Sequence, residues 1–389
     1  MVASLERTNA IRTKSLRQAF QAVPRELFVP EVAVRDGLPA IYRPDVALAT
    51  ATDSRGVAIS SSSAPNIMAL MLETLQLRAG QRVLEVGTGT GYNAALLKSL
   101  VGESGRVTSI DIEAAFARRA RRALAQGGYR CRVAVGDGRG GWSTGAPYDR
   151  IIVTASSDQV PQRWRDQLVE GGVVELPLRL TPGFLPQVIV ALRREGDLLR
   201  SVAVFPGVFM ALRESDGADS PLDHGPALRA WSGSGRDAAM LASLEGERLS
   251  KLSPTATRRT LALLLGNGRR LRSFSLDSIH GLIMFLNLSD IPGTVRVSAE
   301  GRHGLAILDP QGTSIATVTW AAGGAGRMEA WGDERAERLL SRHVQRWERV
   351  GSPTLQDFQF TVSYAREAAG RHWKALRGDG SVIAIDRAT

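Results

Sequence analysis

Cysteine is all but missing from this chain: a single one, Cys131, stands among 389 residues. That count excludes an intrachain disulfide and a thiolate zinc cluster, and with them a disulfide-stapled scaffold. Lysine is nearly as scarce. Lys14, Lys98, Lys251 and Lys374 are four of the 49 basic residues, so arginine carries almost all of the formal charge of +10. An arginine-for-lysine skew of this kind is what GC-rich coding produces without selection for nucleic acid. The arginines are also scattered, the densest knot being Ala117-Arg118-Arg119-Ala120-Arg121-Arg122-Ala123-Leu124, which reads as the solvated face of one helix. Long hydrophobic runs are absent too. The stretch at 201–212 is interrupted by Pro206 and Gly207, well short of the roughly 18 residues a membrane span needs. Residues 1–14 have no apolar segment behind their charges, so a cytoplasmic location is expected.

The chain does have an ordinary globular composition, 43% apolar and 23% charged, and a length that suits two domains. Residues 1–80 read as a helix-and-loop extension punctuated by Pro24, Pro30 and Pro44, ending in a Ser-rich turn and the helix that starts at Pro65. From Arg82 the pattern alternates: an apolar strand (RVLEV), a glycine turn, an apolar helix (NAALLKSLV), a second strand (RVTSID), a basic helix, a third strand (RCRVAVGD) and then DRIIVTA. This is the signature of an α/β fold with a mostly parallel, Rossmann-like sheet and helices on both faces. Segments at 172–178, 187–192 and 201–205 extend the sheet, the last ones antiparallel, and the first domain is expected to span 1–212 with its core at 81–212. The polar, Gly/Ser/Pro-rich stretch 213–237 reads as a linker. Residues 238–389 then form a smaller C-terminal α+β domain for substrate recognition. Strand character is expected for LIMFLNL, GLAILD, SIATVTW and FQFTVSY, and a helix from 333 to 349 with Ala336, Leu339, Leu340, Val344 and Trp347 on one face. Trp320, Trp331 and Trp373 are candidates for gripping a peptide, with core packing as the competing role.

The most informative segment is Val83-Leu84-Glu85-Val86-Gly87-Thr88-Gly89-Thr90-Gly91. Its G-x-G-x-G spacing differs from the G-x-G-x-x-G that sets a pyrophosphate on a helix N-terminus. S-adenosyl-L-methionine has no phosphate. It presents a sulfonium, an ammonium and a ribose, which call for close backbone approach from glycine and for carboxylates. Glu85 ends the first strand, Asp111, followed by Ile112, ends the second, and Gly136-Asp137-Gly138 follows the third. Ligands of open α/β sheets bind in the crevice outside such strand ends. The candidate cofactor contacts are therefore Glu85, Gly87, Thr88, Gly89, Gly91, Asp111, Ile112, Gly136, Asp137 and Gly138, with Asp111 on the ribose hydroxyls and Asp137 toward the adenine. A ligand-free glycine turn and a NAD site are the competing readings. No metal site is expected.

All five histidines, His224, His280, His303, His343 and His372, lie beyond residue 212. A hydroxyl acceptor needs a base to deprotonate it, whereas a carboxylate, with a pKa near about 4, is already a nucleophile at neutral pH. Carboxyl methylation is thus the chemistry this domain can perform without imidazole. Base methylation lacks its signatures: there is no Asp/Asn-Pro-Pro-aromatic segment, and Cys131 follows Arg130 within a strand, not a proline. A nucleic-acid methyltransferase and a noncatalytic donor-binding scaffold remain as alternatives.

Several further segments, taken jointly, resemble the protein-L-isoaspartate O-methyltransferase family over about residues 15–212. They are Val23-Pro24-Arg25-Glu26-Leu27-Phe28-Val29-Pro30, Ser63-Ala64-Pro65, Glu85 through Tyr92, Gly136-Asp137-Gly138, Ala146-Pro147-Tyr148-Asp149, Pro161, Gln167-Leu168 and Gly171-Gly172. The resemblance implies an S-adenosyl-L-methionine-dependent enzyme that esterifies a peptide or protein carboxylate, with a serine beside the acceptor and the methyl donor. Aligned on Pro65, that serine is Ser63. The usual Thr-Ile-Ser-Gln-Pro turn is replaced by Ile59-Ser60-Ser61-Ser62-Ser63-Ala64-Pro65, so Ser62 or Ser60 is open as the catalytic hydroxyl, and a helix-capping role for the serines competes with both. The extra domain, together with the four-serine turn, resembles the actinobacterial relatives associated with lanthipeptide and graspetide clusters. That likeness implies methylation of an ordinary aspartate in a constrained, cyclised ribosomal peptide, with collapse to an aspartimide or isoaspartate. General isoaspartate repair is the alternative.

Overall fold

The computed structural model describes residues 1–389 apart from 53–57, 181–186, 213–226, 233–238, 290, 300, 322–323, 365–373, 379–380 and 388–389. The chain opens with helices α1 (Val2–Arg7), α2 (Lys14–Ala22), α3 (Pro30–Asp36) and α4 (Leu38–Ile41). A hairpin of β1 (Leu48–Thr52) and β2 (Ala58–Ser62) follows, then α5 (Pro65–Leu75). The central alternation runs β3 (Arg82–Val86), α6 (Tyr92–Val101), β4 (Arg106–Asp111), α7 (Ala114–Gln126), β5 (Arg132–Val135), β6 (Tyr148–Val153), α8 (Gln162–Asp166), β7 (Leu168–Arg179), β8 (Gln187–Glu195) and β9 (Leu198–Pro206). Strands β3 to β6 pair in parallel, β6 pairs parallel with β7, and β7, β8 and β9 pair antiparallel. The strands expected from the apolar runs are thus present, with the expected directions.

The second part holds β10 (Ala227–Ser232), β11 (Ala239–Glu245), α9 (Pro254–Leu264), β12 (Arg269–Phe274), α10 (Leu276–Leu288), β13 (Thr294–Ala299), β14 (Arg302–Leu308), β15 (Ser314–Ala321), β16 (Gly326–Gly332) and α11 (Arg335–Arg349). It ends with β17 (Phe358–Ser363), β18 (Lys374–Gly378) and β19 (Ser381–Arg387). Among the described residues, strands β10 to β16 make a seven-stranded sheet, and β17, β18 and β19 return to the first sheet, which reaches ten strands in the order β18-β19-β17-β9-β8-β7-β6-β3-β4-β5.

Three expectations are corrected here. The first sheet does not close near Leu212: β9 would be an exposed edge, a row of unpaired backbone groups, and β17 covers it through Thr361 opposite Arg200 and Val362 opposite Leu199. The stretch 213–237 is not all linker, since β10 lies within it; the rest of it is outside the described residues. LIMFLNL is not a strand but the body of α10, whose Ser275 side chain caps the helix by accepting from the Ser278 amide. A short, fully apolar run has no period that separates buried strand from buried helix. The helix expected at 333–349 is α11, with Ala336, Leu340, Val344 and Trp347 buried.

One face of the first sheet packs under α2, α5, α6 and α7 through residues such as Phe20, Leu72, Leu96 and Leu124. The other face shares a continuous core with the second part, where Leu176, Val190 and Leu199 join Phe285, Leu340, Trp347 and Phe358. Trp320 is partly buried against that same core, Trp331 packs on the far side of the second sheet, and Trp373 lies outside the described residues. No helix among the described residues is long and apolar enough to cross a membrane.

Candidate functional site

The loops after β3, β4 and β5 meet at the carboxyl edge of the parallel strands. Gly87, Gly89 and Gly91 all have positive φ, +99°, +52° and +88°, a region that side chains other than glycine rarely enter. At Gly87 space forbids a side chain as well, and at Gly91 it is tight. A Cβ on Gly87 would lie 2.4 Å from Thr154 Oγ1, and that hydroxyl donates to the Gly87 carbonyl at 2.7 Å. A Cβ on Gly91 would come within 3.1 Å of Ala120 on α7. Gly89 is where the loop faces β2: a Cβ there would stand 3.7 Å from the Ser61 carbonyl. The glycine loop and the serine strand therefore lie in contact with each other.

Asp111 holds the loop from the next strand. Its Oδ2 accepts from the Gly89 amide at 2.8 Å and its Oδ1 from the Glu113 amide at 2.9 Å, and the half-buried Ile112 sits between them. This places a carboxylate at the strand end where ribose hydroxyls are expected. Glu85 stands differently from its expected place at the ligand. It is fully buried, with Oε1 accepting from Asn93 Nδ2 at 2.8 Å and Oε2 from Ser109 Oγ at 2.5 Å. Because the Ser109 proton goes to Glu85, the 2.6 Å contact between Thr88 Oγ1 and Ser109 Oγ is a donation from Thr88. The Thr88 hydroxyl thus also points inward. Burial pushes the Glu85 carboxyl up to about 7, against the lowering effect of the Ser109 and Asn93 hydrogen bonds. The reason is the pleat: Glu85 pairs beside Ser109 on the face that α6 covers, so its side chain braces the loop from beneath.

After β5, Gly136 donates to the Asp111 carbonyl, tying the third loop to the second. Asp137 caps the turn by accepting from the Arg139 amide at 2.9 Å and pairs with the Arg139 guanidinium at 2.7 Å. Gly138 packs so closely that a Cβ would lie 2.3 Å from Val86 Cγ1. The fully buried Trp164 of α8 pins it by donating from Nε1 to the Gly138 carbonyl at 2.8 Å. Gln167 adds two bonds, accepting from the Trp142 amide and donating to the Gly140 carbonyl. The sequence reading assigned Trp164 no role, because its partner is set only by the fold.

The serine run is a strand, not a turn. Ser62 pairs with Leu48, Ser61 with Ala49 and Ser60 with Ala51; serine's local turn preference yields to the cross-strand ladder. The run does not cap α5, whose N-cap is Ala64 with no side-chain capping bond. Ser60 and Ser62 are buried on one side of β2. Ser60 Oγ accepts from Thr50 Oγ1 at 3.0 Å, and Ser62 Oγ accepts from Arg25 Nη2 at 3.1 Å. Ser63, half-buried, follows the end of the strand, and its carbonyl accepts from the same Arg25 nitrogen at 2.8 Å. Arg25 was legible only as part of a matching motif, with no role attached to it.

Against this geometry, comparison with known proteins is decisive for the family. Residues 1–214 match the model of the protein-L-isoaspartate(D-aspartate) O-methyltransferase family. The chain belongs to that family. It is similar to the protein-L-isoaspartate O-methyltransferase of Ignicoccus hospitalis, 37% identical over 217 residues that cover 56% of this chain and 97% of the relative. The Methylorubrum populi enzyme of the same name is 39% identical over 190 residues, 48% of this chain and 80% of the relative. A solved structure titled protein-L-isoaspartate O-methyltransferase superposes with a TM-score of 0.53 at 25% identity, covering 93% of this chain and 95% of its own. That coverage takes in both sheets, so a fold like the whole of this one occurs in a solved structure of that name.

The chain is accordingly an S-adenosyl-L-methionine-dependent methyltransferase of the protein-L-isoaspartate O-methyltransferase family. The residues present suit that cofactor: a cradle too tight for side chains at Gly87 and Gly91, a carboxylate at Asp111, and no basic side chain among the three glycines to call for a phosphate.

Proposed function

We propose that this methyltransferase esterifies the free carboxylate of isoaspartyl residues in proteins and peptides, as a repair enzyme. The family match over residues 1–214 carries this reading. The expectation of a dedicated role on ordinary aspartate in a cyclised ribosomal peptide rested on the added domain together with the four-serine turn; a solved structure titled protein-L-isoaspartate O-methyltransferase covers 93% of this chain, the added domain included, and supports the repair reading instead. S-adenosyl-L-methionine supplies an electrophilic methyl group on a sulfonium. The chain's part is orientation: Asp111 takes the ribose hydroxyls, the glycine loop and the Asp137 turn shape the nucleoside wall, and the serine strand presents the acceptor. Holding a carboxylate in line with the methyl supplies on the order of 7 to 11 kcal/mol, and no general base is required.

Among the serines, Ser63 is the residue for the acceptor side. The Ser60 and Ser62 hydroxyls are buried and bound within the protein, whereas Ser63 is half-buried just past the end of β2. Its hydroxyl donates to one carboxylate oxygen and leaves the other to attack. Ser63→Ala is expected to lower kcat about ten-fold or more, the loss of one hydrogen bond to a charged group, with the dissociation constant for S-adenosyl-L-homocysteine unchanged. Equal turnover in that variant moves the role to another serine.

The deciding experiment is mass spectrometry of an isoaspartyl peptide, its aspartyl twin and a cyclised aspartyl peptide, each incubated with enzyme and cofactor. The reading requires a gain of about 14 Da, one methylene, on the isoaspartyl peptide. Modification of the cyclised aspartyl peptide alone, with net loss of water through an imide, overturns it in favour of a biosynthetic role.

A further inference from the structure

Arg25 has no solvent exposure, and its guanidinium spends one nitrogen on three acceptors: the Ser62 carbonyl at 3.2 Å, Ser62 Oγ at 3.1 Å and the Ser63 carbonyl at 2.8 Å. Its Nε and Nη1 are buried without hydrogen-bond partners. No carboxylate pairs with it among the described residues. Its sequence neighbour Glu26 is engaged by the Tyr42 hydroxyl. The guanidinium instead lies 5.4 Å from the ring centroid of Tyr92, the first residue of α6 and the one that follows the glycine loop. One buried cation therefore touches both segments, the serine strand by hydrogen bonds and the helix after the glycine loop by its ring contact. Burial lowers the Arg25 pKa to about 10, so it keeps its charge at neutral pH.

A buried charge with no counter-ion is costly, and such groups are normally paired. Any anion placed against the end of β2 relieves that cost, and does so in low dielectric where the attraction is strong. Resting on the reading that the acceptor is a carboxylate presented at Ser63, we propose that Arg25 is the positioning residue that makes this site select a negatively charged acceptor over its neutral isostere. It acts through the Ser62–Ser63 backbone, orienting that segment and setting a positive potential behind it, without touching the substrate.

The test compares binding of an isoaspartyl peptide with that of its carboxamide twin, both measured by calorimetry with S-adenosyl-L-homocysteine present, for wild type, Arg25→Gln and Arg25→Lys. Wild type is expected to prefer the carboxylate by about ten-fold or more, a preference that falls within about three-fold in Arg25→Gln while affinity for S-adenosyl-L-homocysteine holds. Arg25→Lys keeps the charge but not the planar guanidinium that lies against Tyr92 and places its nitrogen between Ser62 and Ser63, so it retains the preference and loses turnover. A folded Arg25→Gln that keeps the wild-type preference overturns the proposal. Should Arg25→Gln fail to fold, Arg25→Met, which also removes the charge, is measured in its place: a preference that falls within about three-fold supports the proposal, and one kept at the wild-type level overturns it. Wild type that methylates the isoaspartyl peptide but binds both twins equally also overturns the proposal and leaves the functional reading intact. Wild type that methylates no isoaspartyl peptide refutes the reading itself.

Discussion

Two buried carboxyls, Glu85 and Glu175, are expected to make the stability of this protein depend on pH. Glu175 lies on β7, fully buried, with both oxygens lacking partners, and desolvation raises its pKa well above the usual carboxylate value. A carboxyl left without hydrogen bonds in an apolar layer costs stability that an apolar side chain of similar volume does not. Glu175→Val, which also suits a strand, is expected to raise unfolding free energy at pH 7 by about 1 to 3 kcal/mol in urea titrations; a loss of stability would place a partner on that carboxyl. Glu85, raised from 4.5 to about 7, has the same sign. A carboxyl whose folded pKa lies above its unfolded one binds more protons when folded. Its stabilising contribution is full below pH 4.5 and is lost as pH climbs toward about 7. The change is on the order of 3 kcal/mol, and Glu85→Gln should flatten the stability profile across that window.

At the scale of elements, the site depends on loops whose geometry leaves no room for change. Gly87→Ala adds a Cβ 2.4 Å from Thr154 Oγ1 at a φ of +99°. It should weaken S-adenosyl-L-homocysteine binding at least about ten-fold, measured by calorimetry, while the folded sheet persists by circular dichroism. Binding equal to wild type would remove the loop from the cofactor site. The parallel alternation and the glycine loop were legible in the sequence because each is local: apolar runs of strand length, turn glycines and helix caps follow one another along the chain. The β1–β2 hairpin was not. Its serines favour turns when considered alone, and only pairing with Leu48–Thr52 makes them a strand. The apolar segment in α10 failed for a related reason, since burial on all sides erases the amphipathic period.

For the molecule as a whole, the two parts are not separable beads. β17 pairs with β9, Phe360 donates its amide to Ser201 Oγ at 2.9 Å, and the Arg165 guanidinium lies over the Tyr364 ring at 4.7 Å. The core beneath the first sheet continues into α10 and α11. The full chain is therefore expected to unfold in one cooperative calorimetric transition. A version truncated after Leu212, which bares the β9 edge and the apolar face under α10, is expected to aggregate or to melt well below the full chain. Two separate transitions, or a soluble truncation of unchanged stability, would show that the parts fold alone.

The sequence by itself determined the α/β class, the glycine loop after the first strand, Asp111 at the second strand end and the family resemblance over about residues 15–212, because these are written in contiguous residues whose spacing has a direct physical meaning. Only the tertiary structure decided that Glu85 and Thr88 brace the loop from below, that Ser60 and Ser62 are engaged inside the protein, that Arg25 lies behind the end of β2, and that the last three strands join the first sheet. Each of those depends on contacts between segments far apart in the chain. Which of many apolar or polar partners a residue meets is settled by the packing of the whole core, not by its neighbours in sequence.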